Sequence, residues 1–218
     1  MSILSRIRTL FRSKRNRGDD TFPIISEDEA RSLVEDRIEF KFFSAEYHLS
    51  KLRDIERNQG AISSSFRLRV RWEVEIESLL AQLIGTSDAL LVKINEKLNL
   101  GLPLKDVSLG MINNRLNARG NRALLADLNR LMGQRGSWLR ILNDLRTRSM
   151  HKALLSIKVA HTLVENANTG QGWSEGPRVT LITDPPTALE VIPYFENSIR
   201  QMRALIEDIK TSEPLLRT

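Results

Sequence analysis

Residues 66–100, "FRLRVRWEVEIESLLAQLIGTSDALLVKINEKLNL", decide the fold class. The opening alternates apolar and polar residues, from Phe66 through Leu68, Val70, Trp72, Val74 and Ile76, which is the period of a half-buried strand. From Ile76 onward, "IESLLAQLIG" has the spacing and composition of a helix. We read the whole segment as helix, loosened near Gly85, with an opening that fits either period. A helix of this length makes the chain mostly α.

Upstream, Ser26 followed by Glu29 forms a capping-box pattern. The acids of "SEDEA" (residues 26–30) crowd the first turn, where they complement the helix dipole. The spacing predicts a helix from there to about Arg57, with Leu33, Ile38, Phe42, Tyr47, Leu49 and Leu52 among its apolar positions, and "NQGAISSS" (58–65) ends it. Downstream, residues 101–121 read as a loop holding a short helical piece around 108–117. Residues 122–151 give two helices separated by Gly133 and Gly136.

Beyond His151 the period changes to two. Ile157, Val159, His161 and Leu163 alternate with Ser156, Lys158, Ala160 and Thr162, and "RVTLIT" (178–183) alternates again after the glycine-rich "NANTGQGWSEGP" (166–177). Two short strands around a long turn are expected there. Residues 185–211 read as a closing helix opened by prolines, with Val191, Phe195, Ile199, Met202, Leu205 and Ile209 at helical spacing and Pro193 placed to bend its start. The expected fold is a bundle of four to five long helices over residues 26–213, with a small β-hairpin insertion near 155–183.

The 218 residues suffice for one sizeable core, and 41% hydrophobic with 28% charged residues is ordinary for a globular chain. The absence of cysteine excludes disulfides, thiolate metal sites and cysteine nucleophiles, and fits a cytoplasmic location. The net charge of +6 is localised. Residues 1–18 carry Arg6, Arg8, Arg12, Lys14, Arg15 and Arg17 and no acid, while residues 19–218 hold 27 basic and 27 acidic residues. Ile3, Leu4, Ile7, Leu10 and Phe11 lie at helical spacing among those arginines. Residues 1–25 are therefore expected to be a basic amphipathic helix and linker. It either packs on the body or tethers it to an anionic membrane surface, nucleic acid or a partner.

No phosphate-cradling glycine motif, Walker lysine or HExxH is present, and the three histidines are too far apart in sequence to suggest a metal site; no metal or cofactor is expected. The chemistry-bearing stretch is "WLRILNDLRTRSMHK", residues 138–152. Its Trp138, Leu142 and Leu145 form an apolar stripe, and Arg140, Asp144 and Arg148, four apart, read as an exposed ion-pair ladder. Arg146 lies at the margin of the stripe. His151 follows five residues later, about 140° around an ideal helix, so the two side chains meet one phosphate only where the helix ends or unwinds near 150. Such a pair suits metal-free phosphodiester transfer, with the imidazole taking the 2′-hydroxyl proton and the guanidinium holding the charged phosphorane oxygens. The same two residues also suit a salt bridge and a helix C-cap.

The run Arg146-Thr147-Arg148-Ser149-Met150-His151 resembles the signature of the HEPN superfamily (higher eukaryotes and prokaryotes nucleotide-binding), an arginine, an adjacent polar residue and a histidine four to six intervening residues further on. The aromatic lead-in at Trp138, the strand-like insertion and the closing "VIPYFENSIRQMRALI" helix are similar to uncharacterised bacterial branches of that superfamily. The resemblance implies a homodimer with two Arg/His motifs at a shared cleft, cutting single-stranded RNA without metal. It also implies a toxin or defence setting with a cognate antitoxin or nucleotidyltransferase. Carried over by position, Arg146 stabilises phosphate, His151 is the acid or base, and Thr147 fills the adjacent polar place. Threonine departs from the usual Asn, Asp or His there. Ala153 stands where one subtype carries a tyrosine target of AMPylation, so that subtype does not transfer.

Other residues have plainer expectations. His48 reads as a surface or partly buried helix residue, His161 as a core histidine, Trp72 and Trp138 as core, and Trp173 as a loop anchor. Glu73 and Glu77 share a face if their segment is helical, either orienting Arg146 or solvated. The alternative function is a non-catalytic HEPN-like binding or assembly module, or a membrane- or partner-tethered regulator.

Overall fold

The computed structural model describes residues 24–58, 66–132, 137–151, 155–165, 172–182 and 187–217. The expectations for the basic segment 1–23 and for Gly133 and Gly136 lie outside them. Seven α-helices and three strands occur among the described residues. They are α1 (Glu27–Glu35), α2 (Arg37–Asn58), α3 (Phe66–Lys97), α4 (Leu109–Ala118), α5 (Arg122–Asn129), α6 (Trp138–His151), β1 (Ser156–Glu165), β2 (Gly172–Ile182), β3 (Ala188–Glu190) and α7 (Val191–Ser212).

The ambiguous opening of the 66–100 stretch is helical, and α3 runs without a break through Gly85. As a strand, the six apolar residues from Phe66 to Ile76 would share one face. As a helix they divide into two rows four residues apart. Leu68, Trp72 and Ile76 turn to the core, whereas Phe66, Val70 and Val74 are exposed. Further along, Leu79, Leu80, Leu83, Leu90 and Ile94 are fully buried, which makes α3 the axis of the bundle. A Cβ at Gly85 would stand 3.1 Å from Cε of Lys41, the flexible end of a side chain on α2, which could move aside.

The expected single helix over 26–57 is two. Ser26 caps α1 reciprocally with Glu29, as the pattern predicts: the Glu29 amide donates to Ser26 Oγ (3.2 Å) and the Ser26 amide to Glu29 Oε2 (2.9 Å). Asp36 then adopts extended backbone, and its Oδ1 accepts from the amides of Ile38 (3.0 Å) and Glu39 (3.2 Å), capping α2 afresh. The kink lets Leu33 and Phe43 close a small satellite cluster with Ile25, separate from the main core.

The sheet is antiparallel in the order β1-β2-β3. Its hairpin spans the expected region, but β2 begins at Gly172, so Trp173 pairs in the ladder with Val164 and does not lie in a long turn. Register shifts between Ala160 and Thr162. Buried Leu155, Val179 and Leu181 seat the base of the hairpin in the core. The closing helix starts later than its prolines suggest, because residues 188–190 pair with β2 through Leu181 and Leu189. Pro193 is the third residue of α7, a first-turn position with no intrahelical N–H bond to lose. Arg203 of α7 ties this helix to α2, meeting Glu39 at 3.2 Å and Glu46 at 3.1 Å with its guanidinium 4.0 Å from the Phe42 ring centre.

Candidate functional site

The helix that carries the candidate residues, α6, forms for reasons local to its sequence. Ser137 Oγ accepts from the Arg140 amide (3.3 Å) at its start, and Leu139, Leu142 and Leu145 bury one face. Tyr194 of α7 donates from its hydroxyl to the Trp138 carbonyl (3.1 Å). Trp138 is half-buried against the core, and Arg140 meets Asp144 at 3.3 Å on the exposed side, the first rung of the expected ladder.

Arg146 is half-buried at the margin of that apolar face, and its Nε is sequestered from solvent with no hydrogen-bond partner among the described residues. Thr147 beside it is exposed. His151 is the last residue of α6. The helix therefore holds the two candidate positions about 140° apart around its axis and about 7.5 Å apart along it. The His151 side chain, like that of His161 and Trp173, lies outside the described residues. His48 is partly buried on α2, with Nδ1 2.7 Å from Glu75 Oε2.

Two carboxylates of α3 grip the chain on either side of His151. Ser149 donates from Oγ to Glu77 Oε1 (2.8 Å), and the Leu155 amide donates to Glu73 Oε1 (2.5 Å). The later residue meets the earlier glutamate, so this segment runs antiparallel to α3. The sequence shows Glu73 and Glu77 to be one turn apart, but their partners come from 72 and 82 residues away, a pairing no local pattern encodes.

Glu73 is the buried member, 8% exposed; among the described residues its Oε2 has no partner, nor has the buried indole Nε1 of neighbouring Trp72. Burial pushes the Glu73 carboxyl above its usual range; the Leu155 amide and the charge of Arg69 act against this, and Glu77 adds to it. The native state thus holds a proton over a range where the unfolded chain has released it. The contribution to stability is present at low pH and is lost as pH rises from about 4.3, the ordinary glutamate value, through the raised one. Urea unfolding across that range should show the wild type losing stability relative to Glu73→Gln, which keeps an acceptor for Leu155 and does not titrate. Parallel pH curves would refute the assignment.

A cleft of about 320 Å³ lined by Arg130, Ser137, Trp138, Leu139, Gln201, Ala204 and Leu205 lies at the other end of α6 from Arg146. Among the described residues no group of His, Asp or Glu is arranged to hold a metal ion, and no helix is long and apolar enough to cross a membrane.

The class that these elements define is a mostly helical bundle with a small antiparallel sheet. No protein-family model, curated protein or solved structure matches the chain.

Proposed function

We propose that the protein is a metal-independent endoribonuclease of HEPN-like type, acting as a homodimer on single-stranded RNA in a toxin or defence setting. The observation that carries this reading is Arg146, whose Nε–H is buried beside the apolar stripe without an acceptor among the described residues. A buried donor left unmade costs about 1–3 kcal/mol, which an anionic ligand drawing the guanidinium towards it would recover. In the proposed reaction a neutral His151 takes the 2′-hydroxyl proton, the 2′-oxygen attacks the adjacent phosphorus, and the bond to the 5′-oxygen breaks. The products are a 2′,3′-cyclic phosphate and a 5′-hydroxyl, whose proton comes from the second copy of His151 in its protonated form. Arg146 balances the charge gathering on the non-bridging oxygens.

The 140° separation on α6 is the reason for the dimer. One chain does not aim both residues at one phosphate from a regular helix, but a two-fold axis supplies a second copy of each. Light scattering should report a dimer at micromolar concentration, and a monomer that still cuts RNA would remove the shared cleft. The direct test is cleavage of single-stranded RNA in EDTA with cyclic-phosphate ends; intact RNA would reject the reading. The same separation favours a second one, a HEPN-like binding or assembly module that keeps the helix without the chemistry. Its signature is RNA or partner binding unaccompanied by cleavage. A cognate antitoxin or nucleotidyltransferase belongs to the first reading, and a membrane surface met through residues 1–18 to a tethered regulator.

A further inference from the structure

The first turns of α3 separate charge in a way that the balanced composition of the body hides. Residues 66–77 hold three arginines and three glutamates. The glutamates are engaged within the fold: Glu73 with the Leu155 amide, Glu75 with His48 and Glu77 with Ser149. Arg67, Arg69 and Arg71 are all exposed, and among the described residues neither Arg67 nor Arg71 has an ion-pair partner. Next to the Arg67–Arg71 row runs the row of Phe66, Val70 and Val74, which are 83%, 59% and 51% exposed. Arg67 and Arg71 thus lie against an exposed aromatic ring and two aliphatic side chains, with the Glu75 carboxylate, held by His48, one turn beyond Arg71 on the same row. The Glu73–Leu155 bond brings the chain just beyond His151 to the same part of α3.

We infer that this face of α3 binds single-stranded RNA, with Phe66 stacking on a base and Arg67 and Arg71 holding phosphates of the strand. The choice of polyanion rests on the nuclease reading above. Arg67 and Arg71 are one turn apart, about 6 Å along the axis, so one strand can engage both. Arginine suits phosphate because its planar fork donates to two oxygens at once, and an exposed ring offers a platform that accepts any base. A protein partner fits less well. Three apolar side chains over little more than two turns fall far short of the roughly 800 Å² per side that a stable interface buries. Stacking and phosphate contacts need no such area.

The test uses the full chain carrying His151→Ala, so that binding is read without cleavage, and a short labelled oligoadenylate whose anisotropy is followed over a range of salt. Arg67→Ala with Arg71→Ala should weaken binding and lower the slope of log affinity against log salt by about 1.4, two single-strand phosphates' worth. Phe66→Ala should weaken it about fivefold or more while leaving the slope almost unchanged. All three side chains are exposed, and an unchanged melting temperature confirms that the fold survives. Equal affinity and slope in all variants, or no RNA binding by the parent, would overturn the inference. So would loss of binding to an oligoglutamate peptide with RNA binding intact, which would make the face a protein-docking site. RNA binding that depends on these residues in a wild-type chain that cuts nothing would sink the nuclease reading alone. Cleavage by the wild-type chain together with unaltered binding in the variants would sink this inference alone.

Discussion

His151→Ala is expected to reduce RNA cleavage in EDTA by about two to four decades, the usual span for loss of a general acid–base group. Arg146→Ala should cost about two to three decades if, as proposed, its charge faces the transition state. Arg146→Lys should recover only part of that, because a point charge does not reproduce the two-pronged fork. If one copy of His151 serves as base and the other as acid, the rate should pass through a maximum with pH, since one imidazole must be neutral and the other protonated. Mixed dimers would then separate the roles. A dimer of one wild-type and one His151→Ala subunit keeps a single imidazole: if both copies are needed its rate should fall to that of the doubly replaced dimer, whereas a rate near half that of the wild type would show that one copy suffices. Equal rates for wild type and His151→Ala would end the catalytic assignment. Ser149→Ala offers a milder check, since it releases Glu77 without touching the proposed reacting groups.

Arg203→Met should produce the largest loss of stability. The guanidinium is 14% exposed and joins Glu39 and Glu46, themselves 20% and 13% exposed, while covering the Phe42 ring. Removing it leaves two largely buried carboxylates without their cation. Breaking a fully buried pair costs about 3–5 kcal/mol, and the residual exposure here reduces that to about 2–4 kcal/mol. The melting temperature should fall by about 2–4 °C per kcal/mol for a chain of this size. Methionine keeps the side-chain volume, so the loss reports charge and hydrogen bonding more than packing. Adding Glu39→Gln and Glu46→Gln to the variant should restore much of the stability, because the uncompensated charges are then gone. A triple variant no more stable than Arg203→Met would show that the stem and its contact with Phe42 carry the effect instead.

The Arg146/His151 spacing and the Arg203 cluster are encoded at different levels of the chain. Arg146 and His151 are visible as a spacing on a helix whose apolar stripe is plain, and α6 forms where that stripe places it. The Arg203 cluster is invisible in the sequence, since Glu39 and Glu46 precede it by 164 and 157 residues. What the sequence by itself determined is local: the capping box at Ser26, the long apolar helices, the change of period after His151 and the apolar row of α7. Each follows from backbone hydrogen bonding and side-chain direction within a few residues. Tertiary structure decided the rest. Asp36 splits the first helix because its carboxylate caps a second one and the kink seals Leu33 on Phe43. In "FRLRVRWEVEI" two periods coincide, and only burial of Leu68, Trp72 and Ile76 against the other elements selects the helix, leaving Phe66, Val70 and Val74 outside. β2 reaches back to Gly172 through a sequence rich in turn residues because β1 offers it a ladder to pair with. Glu73 and Glu77 acquire their roles only once the bundle brings Leu155 and Ser149 beside α3, since a hydrogen bond between residues so distant in the chain exists only after the fold has closed.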